Sequence, residues 1–186
     1  MMGSARVIRC LEENRKVLTQ QCTAALFDHE VRMAEDIDFK YPMRKACAWE
    51  ISSLCQNVPH GHARVIRCLQ EHLDDEDMSR ECKDEVTRDT NRAAQDYRLN
   101  WRLSKACEKD ISGLCSGLCS ANSNQPCGGV VLHCLTERQE NITSQACNDE
   151  VFYYQLMEVN DFRNDVILAE ACRADVDKYC KDVEPG

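Results

Sequence analysis

The sequence is poor in the residues that build turns. It has seven glycines and four prolines in 186 residues, and aromatic residues make up only 6%. That is too few for an all-β scaffold, where strand follows strand through Gly- and Pro-rich turns. No run approaches the roughly 20 apolar residues that cross a bilayer. The opening "MMGSARVIRC" lacks the apolar core of a signal peptide. Positive charge is also short: 23 Lys and Arg against 32 Asp and Glu leave a net charge of −9. This balance excludes a nucleic-acid or anionic-membrane surface. There is no G-x-S-x-G, no nucleotide-binding glycine loop, no H-E-x-x-H and no C-x-x-C, so the usual hydrolase, nucleotide and zinc signatures are missing.

What the sequence has is cysteine, 14 in all. Thiols in such number and of even count point to a disulfide scaffold formed in the oxidising secretory pathway. A secretory composition without a secretion signal is expected of a segment of a longer protein. The cysteines fall into three sets of four: Cys10, Cys22, Cys47, Cys55; Cys68, Cys82, Cys107, Cys115; and Cys134, Cys147, Cys172, Cys180. The first interval is 12, 14 and 13 residues, the second always 25 and the third always 8. The flanks repeat as well: "ARVIRCL" stands at 5–11 and 63–69, and "GVVLHCL" at 129–135. Cys119 and Cys127 lie in an extra segment between the second and third sets. The reading is a tandem array of three repeats at 1–58, 59–118 and 128–186, with an inserted disulfide loop at 119–127.

Each repeat of about 60 residues reads as helical. Val65, Cys68, Leu69 and His72 fall at i, i+3, i+4 and i+7, an amphipathic stripe. A second helix is expected to start at Thr19, Ser79 and Ser144, each three residues before a cysteine and able to accept free N–H groups of the first turn. Leu26, Val86 and Val151 extend its buried face. The alternating segments "IDFKYPM", "YRLNWRL" and "FRNDVIL" are expected to be extended connectors. A third helix carries the frame "ACAWEISSLC", "ACEKDISGLC" or "ACRADVDKYC". The fold class is therefore all-α, a tandem array of three disulfide-stapled helical repeats.

Two cysteines eight apart on a helix are about 12 Å apart along the axis, too far for one disulfide. Each must reach a separate partner. If the three helices of a repeat run up, down, up, the pairs are Cys10–Cys47, Cys22–Cys55, Cys68–Cys107, Cys82–Cys115, Cys134–Cys172 and Cys147–Cys180. A third helix turned over would instead join first to fourth and second to third. Cys119–Cys127 closes its own short loop, and all 14 cysteines are expected to be oxidised.

The frame A-C-x-x-[DE]-[IV]-x-x-[LY]-C, preceded by [IFY]-x-x-x-x-x-[ML] and opened by R-V-x-x-C-L, resembles the cysteine-rich repeat of the Golgi apparatus protein family. That family is also known as the cysteine-rich fibroblast growth factor receptor and as a leukocyte selectin ligand. The resemblance covers essentially the whole chain. The third repeat departs from it: Val130, Leu132 and His133 replace Arg, Ile and Arg, and Asn164 replaces an apolar residue. The resemblance implies a type I membrane glycoprotein of the Golgi whose luminal array binds secreted or luminal proteins such as growth factors. The membrane would be met only through an anchor outside this segment. A spacer without a specific ligand is the alternative.

Sharper chemical readings fare less well. Intervals of 12–14, 25 and 8 do not make zinc knuckles. His60 and His62 in "HGH" could grip a metal, but their setting reads as a solvated linker. Glu50, Asp110 and Asp175 recur at one repeat position, which marks architecture, a charge beside the stapled face, rather than an active site. Trp49 and Trp101 read as packing residues. Arg6, Arg9, Arg64 and Arg67 could touch a sulfated glycan or simply pair with acids. A saposin-like lipid carrier would need six cysteines per domain. No enzyme activity and no cofactor are expected. Asn141-Ile142-Thr143 is an N-glycosylation sequon.

Overall fold

The computed structural model describes residues 5–120, 123 and 125–183. Among them there are helices and turns and no strands. The first repeat contributes α1 (Arg6–Glu13), α2 (Gln20–Met33), α3 (Tyr41–Ala46) and α4 (Ala48–Ser53). The second contributes α5 (Arg64–Glu71), α6 (Arg80–Gln95), α7 (Trp101–Ala106) and α8 (Glu108–Leu114). The third contributes α9 (Val130–Glu137), α10 (Gln145–Asn160) and α11 (Val166–Tyr179). Of the inserted segment 119–127, residues 121, 122 and 124 lie outside the described residues.

The long helices start where the hydroxyls stand. Thr19, Ser79 and Ser144 accept the N–H of Cys22, Cys82 and Cys147 at 3.3, 3.4 and 3.3 Å, each satisfying one orphan donor of the first turn. Leu26, Val86 and Val151 are buried one turn on. The short helices α1, α5 and α9 start differently, behind a residue in left-handed conformation: Ala5, Ala63 and Gly129, with φ of 53°, 52° and 74°. Ala63 donates its N–H to the Glu35 carbonyl at 2.6 Å, and Gly129 to the Gln95 carbonyl at 3.0 Å. These bonds hold a backbone that a non-glycine residue would otherwise avoid.

The connectors are not extended. Asp36, Asp96 and Asp161 accept the N–H two residues on, at 3.0, 2.9 and 2.9 Å, and close a 3-10 turn at Ile37–Phe39, Tyr97–Leu99 and Phe162–Asn164. The third helix then begins at once. The alternating apolarity thus marks a tight turn that tucks Ile37 inward, not a strand. Pro42 sits in the first turn of α3, where its missing N–H leaves no bond unmade.

The described chain forms two compact units that divide between Asp89 and Thr90, inside α6. The first buries Phe27, Ile37, Met43, Val65, Leu69 and Val86. The second buries Leu103, Val131, Leu132, Leu135, Val151 and Tyr154. Tyr154 donates its hydroxyl to the Asn164 carbonyl at 2.8 Å; burial, with Glu158 beside it, pushes its ionisation far above the ordinary range. In the first unit Cys47, Cys55, Cys68 and Cys82 sit inside this core, and in the second Cys107, Cys115, Cys134 and Cys147 do, so these staples and the apolar packing are one structure.

Candidate functional site

The expected single third helix is broken at its first cysteine, into α3 and α4 at Cys47 and into α7 and α8 at Cys107; the strut is double-stapled, but the staples do not close a repeat on itself. Cys47 bonds Cys82 and Cys55 bonds Cys68 in the first unit. Cys107 bonds Cys147 and Cys115 bonds Cys134 in the second. Each such clasp joins the cysteine helix of one repeat to the first two helices of the next. Corresponding Cα–Cα distances match closely: 4.6 and 4.6 Å for the outer bonds, 6.1 and 6.0 Å for the inner. The expected pairs Cys10–Cys47, Cys22–Cys55, Cys68–Cys107, Cys82–Cys115, Cys134–Cys172 and Cys147–Cys180 are not formed. Cys119–Cys127 is formed as expected. Cys10, Cys22, Cys172 and Cys180 are not bonded to any cysteine among the described residues, so the expected pairing of all 14 cysteines is not met among them.

The physical reason is proximity along the chain. Consecutive elements tend to pack together. The element that follows a cysteine helix is the first helix of the next repeat, only a short linker away. Closing Cys55 to Cys68 spans 13 residues and Cys115 to Cys134 spans 19, a smaller entropy loss than the expected loops of more than 30 residues. The cysteine helix lies turned over against its successor, so the bonds nest: third to second, fourth to first.

The recurrent acids belong to this clasp. Glu50 accepts the Ser79 N–H at 2.9 Å. Asp110 accepts both the N–H and the hydroxyl of Thr143, at 2.9 and 2.8 Å, and the Ser144 N–H at 3.4 Å. Each acid therefore caps the long helix of the following repeat, where the dipole favours negative charge. Both are buried, not surface charges as expected. The Thr143 N–H above all, then its hydroxyl and the Ser144 N–H, hold the Asp110 carboxyl below the ordinary carboxylate range against the opposing effect of burial. Asp175, the third of the set, is exposed.

Other candidates scatter. The His60 ring faces Asp38 (Nδ1 to Oδ2 2.9 Å), whereas His62 meets Arg64 at 3.1 Å, so the two rings do not converge. Arg9 pairs with Glu85, and Arg64 donates to the Pro59 and His60 carbonyls. Trp49 is largely exposed rather than packed. Asn141 is exposed in a 3-10 turn, Gln139–Asn141.

One anchor was not anticipated. Arg98 donates Nε and Nη2 to the two carboxylate oxygens of buried Asp96, both at 2.9 Å. Arg98 also donates to the Ser123 carbonyl at 2.6 Å, and Asp96 accepts the Cys127 N–H at 2.8 Å. The pair thus ties down the inserted disulfide loop. Asp161 and Arg163 form the same pair in the third repeat. The signal was present: an Asp two residues before Asp38, Arg98 and Arg163, in register in all three repeats.

The chain matches the model of a family described as the cysteine rich repeat, over residues 20–77, 80–143 and 145–186. These segments start at the long helix rather than at α1, α5 or α9. The chain is 28% identical to chicken "Golgi apparatus protein 1", covering 98% of this chain and 16% of that protein. The human protein of that name is 29% identical over 97% of this chain and 15% of its own length. A Caenorhabditis elegans homolog is 26% identical over 98% of this chain and 18% of its own. The chain thus spans less than a fifth of the relatives it matches. No solved structure matches it. With three consecutive matches that together cover most of the chain, the chain belongs to the cysteine-rich repeat family of the Golgi apparatus proteins.

Proposed function

We propose that this chain is a non-enzymatic binding segment of a Golgi protein, facing the lumen, whose clasped helices present a surface to secreted proteins, growth factors among them. Its relationship to the Golgi apparatus proteins over nearly the whole chain carries this reading. The disulfides suit an oxidising lumen. Two of the three recurrent acids, Glu50 and Asp110, are consumed in capping helices, which leaves recognition to the outer faces of the helices, in the distributed manner of repeat arrays. On this reading Asn141 carries a glycan, and no helix of the described residues is long and apolar enough to cross a membrane.

The burial of the eight clasp cysteines and of Glu50 and Asp110 favours a second reading, a spacer without a specific ligand. Surface plasmon resonance separates the two. The oxidised chain is immobilised and fibroblast growth factors are flowed over it at physiological salt. Saturable binding that disappears when the chain is reduced supports the binding segment. Absence of binding by the growth factors and by a fractionated secretory lumen leaves the spacer.

A further inference from the structure

We propose that Asp36, Asp38 and His60 form a zinc site that ties the first linker to the turn before α3. One oxygen of each carboxylate and a ring nitrogen of His60 lie within 4.8 Å of one another. The edge from His60 Nδ1 to Asp38 Oδ2 is 2.9 Å. Neighbouring donors on a tetrahedral zinc ion stand roughly 3.3 Å apart, with bonds of about 2 Å. Small movements of these partly exposed side chains bring the set to that geometry. An imidazole and two carboxylates, with a fourth position open to water, are ligands that zinc takes.

The other two turns point to a cation independently. Asp36, Asp96 and Asp161 each accept the N–H two residues on. In the second and third turns the donor of that N–H is Arg98 or Arg163, whose guanidinium lies on the same carboxylate. In the first it is Asp38. Two carboxylates therefore stand where the other turns place an acid and a base. Asp36 spends Oδ1 on the N–H, and its Oδ2 has no hydrogen-bond or ion-pair partner among the described residues. That oxygen stands beside Gly61, where an added Cβ would lie 3.5 Å from it. The neighbouring cations are committed elsewhere. Arg44 reaches Asp38 Oδ1, at 3.7 Å, and leaves Oδ2 to His60. Lys40 pairs with Asp89, and Arg64 is turned to the Pro59 and His60 carbonyls and the His62 ring.

The linkers complete the parallel. Arg98 reaches from its turn into the following linker and donates to the Ser123 and Gln125 carbonyls. In the first repeat the reach runs the other way, from His60 in the linker to the turn, and the Ala63 N–H already binds the Glu35 carbonyl at 2.6 Å. Zinc on Asp36, Asp38 and His60 supplies what the Arg98 guanidinium supplies, positive charge and a tether at once. It takes the position of the proton between His60 Nδ1 and Asp38, leaving a neutral imidazole with its proton on Nε2. His62 has no part in the site, since its ring lies at Arg64.

The test uses the full oxidised chain with Cys10, Cys22, Cys172 and Cys180 alkylated, so that no thiol binds the metal. Zinc chloride is titrated in at neutral pH and followed by calorimetry. The expected result is binding of one zinc ion, weakened about tenfold or more in Asp38→Arg and in His60→Gln and retained in His62→Gln. Asp38→Arg restores the pair of the other two turns, and circular dichroism with disulfide mapping confirms that each variant is folded. Zinc should also slow trypsin cleavage after Arg64 in the native chain and leave it unchanged in His60→Gln. A native chain that binds no zinc at millimolar concentration overturns the proposal. So does binding that survives Asp38→Arg or His60→Gln, binding that falls equally in His62→Gln, or cleavage that zinc does not slow. None of these outcomes bears on growth-factor binding, which is measured with no zinc added.

Discussion

The clasp at 47–82 and the clasp at 107–147 share one plan and are finished differently. Both carry two nested disulfides, an acid that caps the next long helix, and a left-handed residue ahead of the short helix. Between cysteine helix and short helix, however, the first has the linker around "HGHA" and the second has the Cys119–Cys127 loop held by Asp96 and Arg98. The first acid makes one bond with Oε1 and leaves Glu50 Oε2 buried without a partner; the second spreads three bonds over both oxygens. The left-handed position is alanine in one and glycine in the other. The difference teaches which parts are obligatory. The crosslinks fix the geometry, and the acid, the linker and the left-handed residue are tuned around it.

The largest effect is expected from the crosslinks. Cys47→Ser and Cys107→Ser should each cost about 3–4 kcal/mol in the chain-entropy model, a large share of what so small a unit can have. Limited proteolysis with peptide mapping should place the new cuts of Cys47→Ser at 41–89 and those of Cys107→Ser at 101–160. Cuts from Cys107→Ser concentrated at 63–82 instead would restore the within-repeat pairing.

Next come the acids. Asp110→Ala should cost about 1–3 kcal/mol, since it strips charge-assisted bonds from a buried helix start. Glu50→Ala should cost less, because it removes one such bond and also an unpartnered buried oxygen. Denaturant unfolding of the two variants measures the gap, and equal losses would mean that the extra bonds of Asp110 add nothing.

The left-handed positions follow. Gly129→Ala should destabilise by about 1–2 kcal/mol, because its φ is 74° and an added Cβ would lie 3.0 Å from Val166 Cβ. Ala63→Gly, by contrast, relieves a φ of 52° and should be neutral or stabilising by up to about 1 kcal/mol. Thermal unfolding of both reads the opposite signs.

The smallest effect is with pH. The folded Asp110 carboxyl is lowered, so its contribution is complete above the unfolded value of about 4. It is lost as pH falls from there through the lowered folded value. Stability measured from pH 5 to 2 should fall less steeply in Asp110→Asn than in the native chain. Parallel curves would show that the capping charge does not matter.

Much of this was legible in the sequence. The cysteine intervals gave the repeats, and their spacing of eight showed that Cys107 and Cys115 need separate partners. The hydroxyls three residues before Cys22, Cys82 and Cys147 marked the long helices. The pairing was not legible, because a repeat in sequence need not be the unit that packs: identical frames leave the choice between a repeat and its successor to chain proximity. The recurrent acid was rightly taken as architecture, yet its burial depends on N–H groups some 30 residues away. The turn-closing Asp36, Asp96 and Asp161 were masked by an apolar alternation that mimics a strand.

A chain clasped between repeats also has a particular response to pulling. Tension on the backbone crosses from Cys47 to Cys82 and from Cys107 to Cys147 through sulfur, so the 35 and 40 residues those bonds bracket carry no load. Only the stretch between clasps can unravel. From Cys82 to Cys107 that is 25 residues, or roughly 85 Å of contour at full extension. The invariant second interval of the sequence is then the give of the tether, one measured length per repeat, with each clasp as a hard stop.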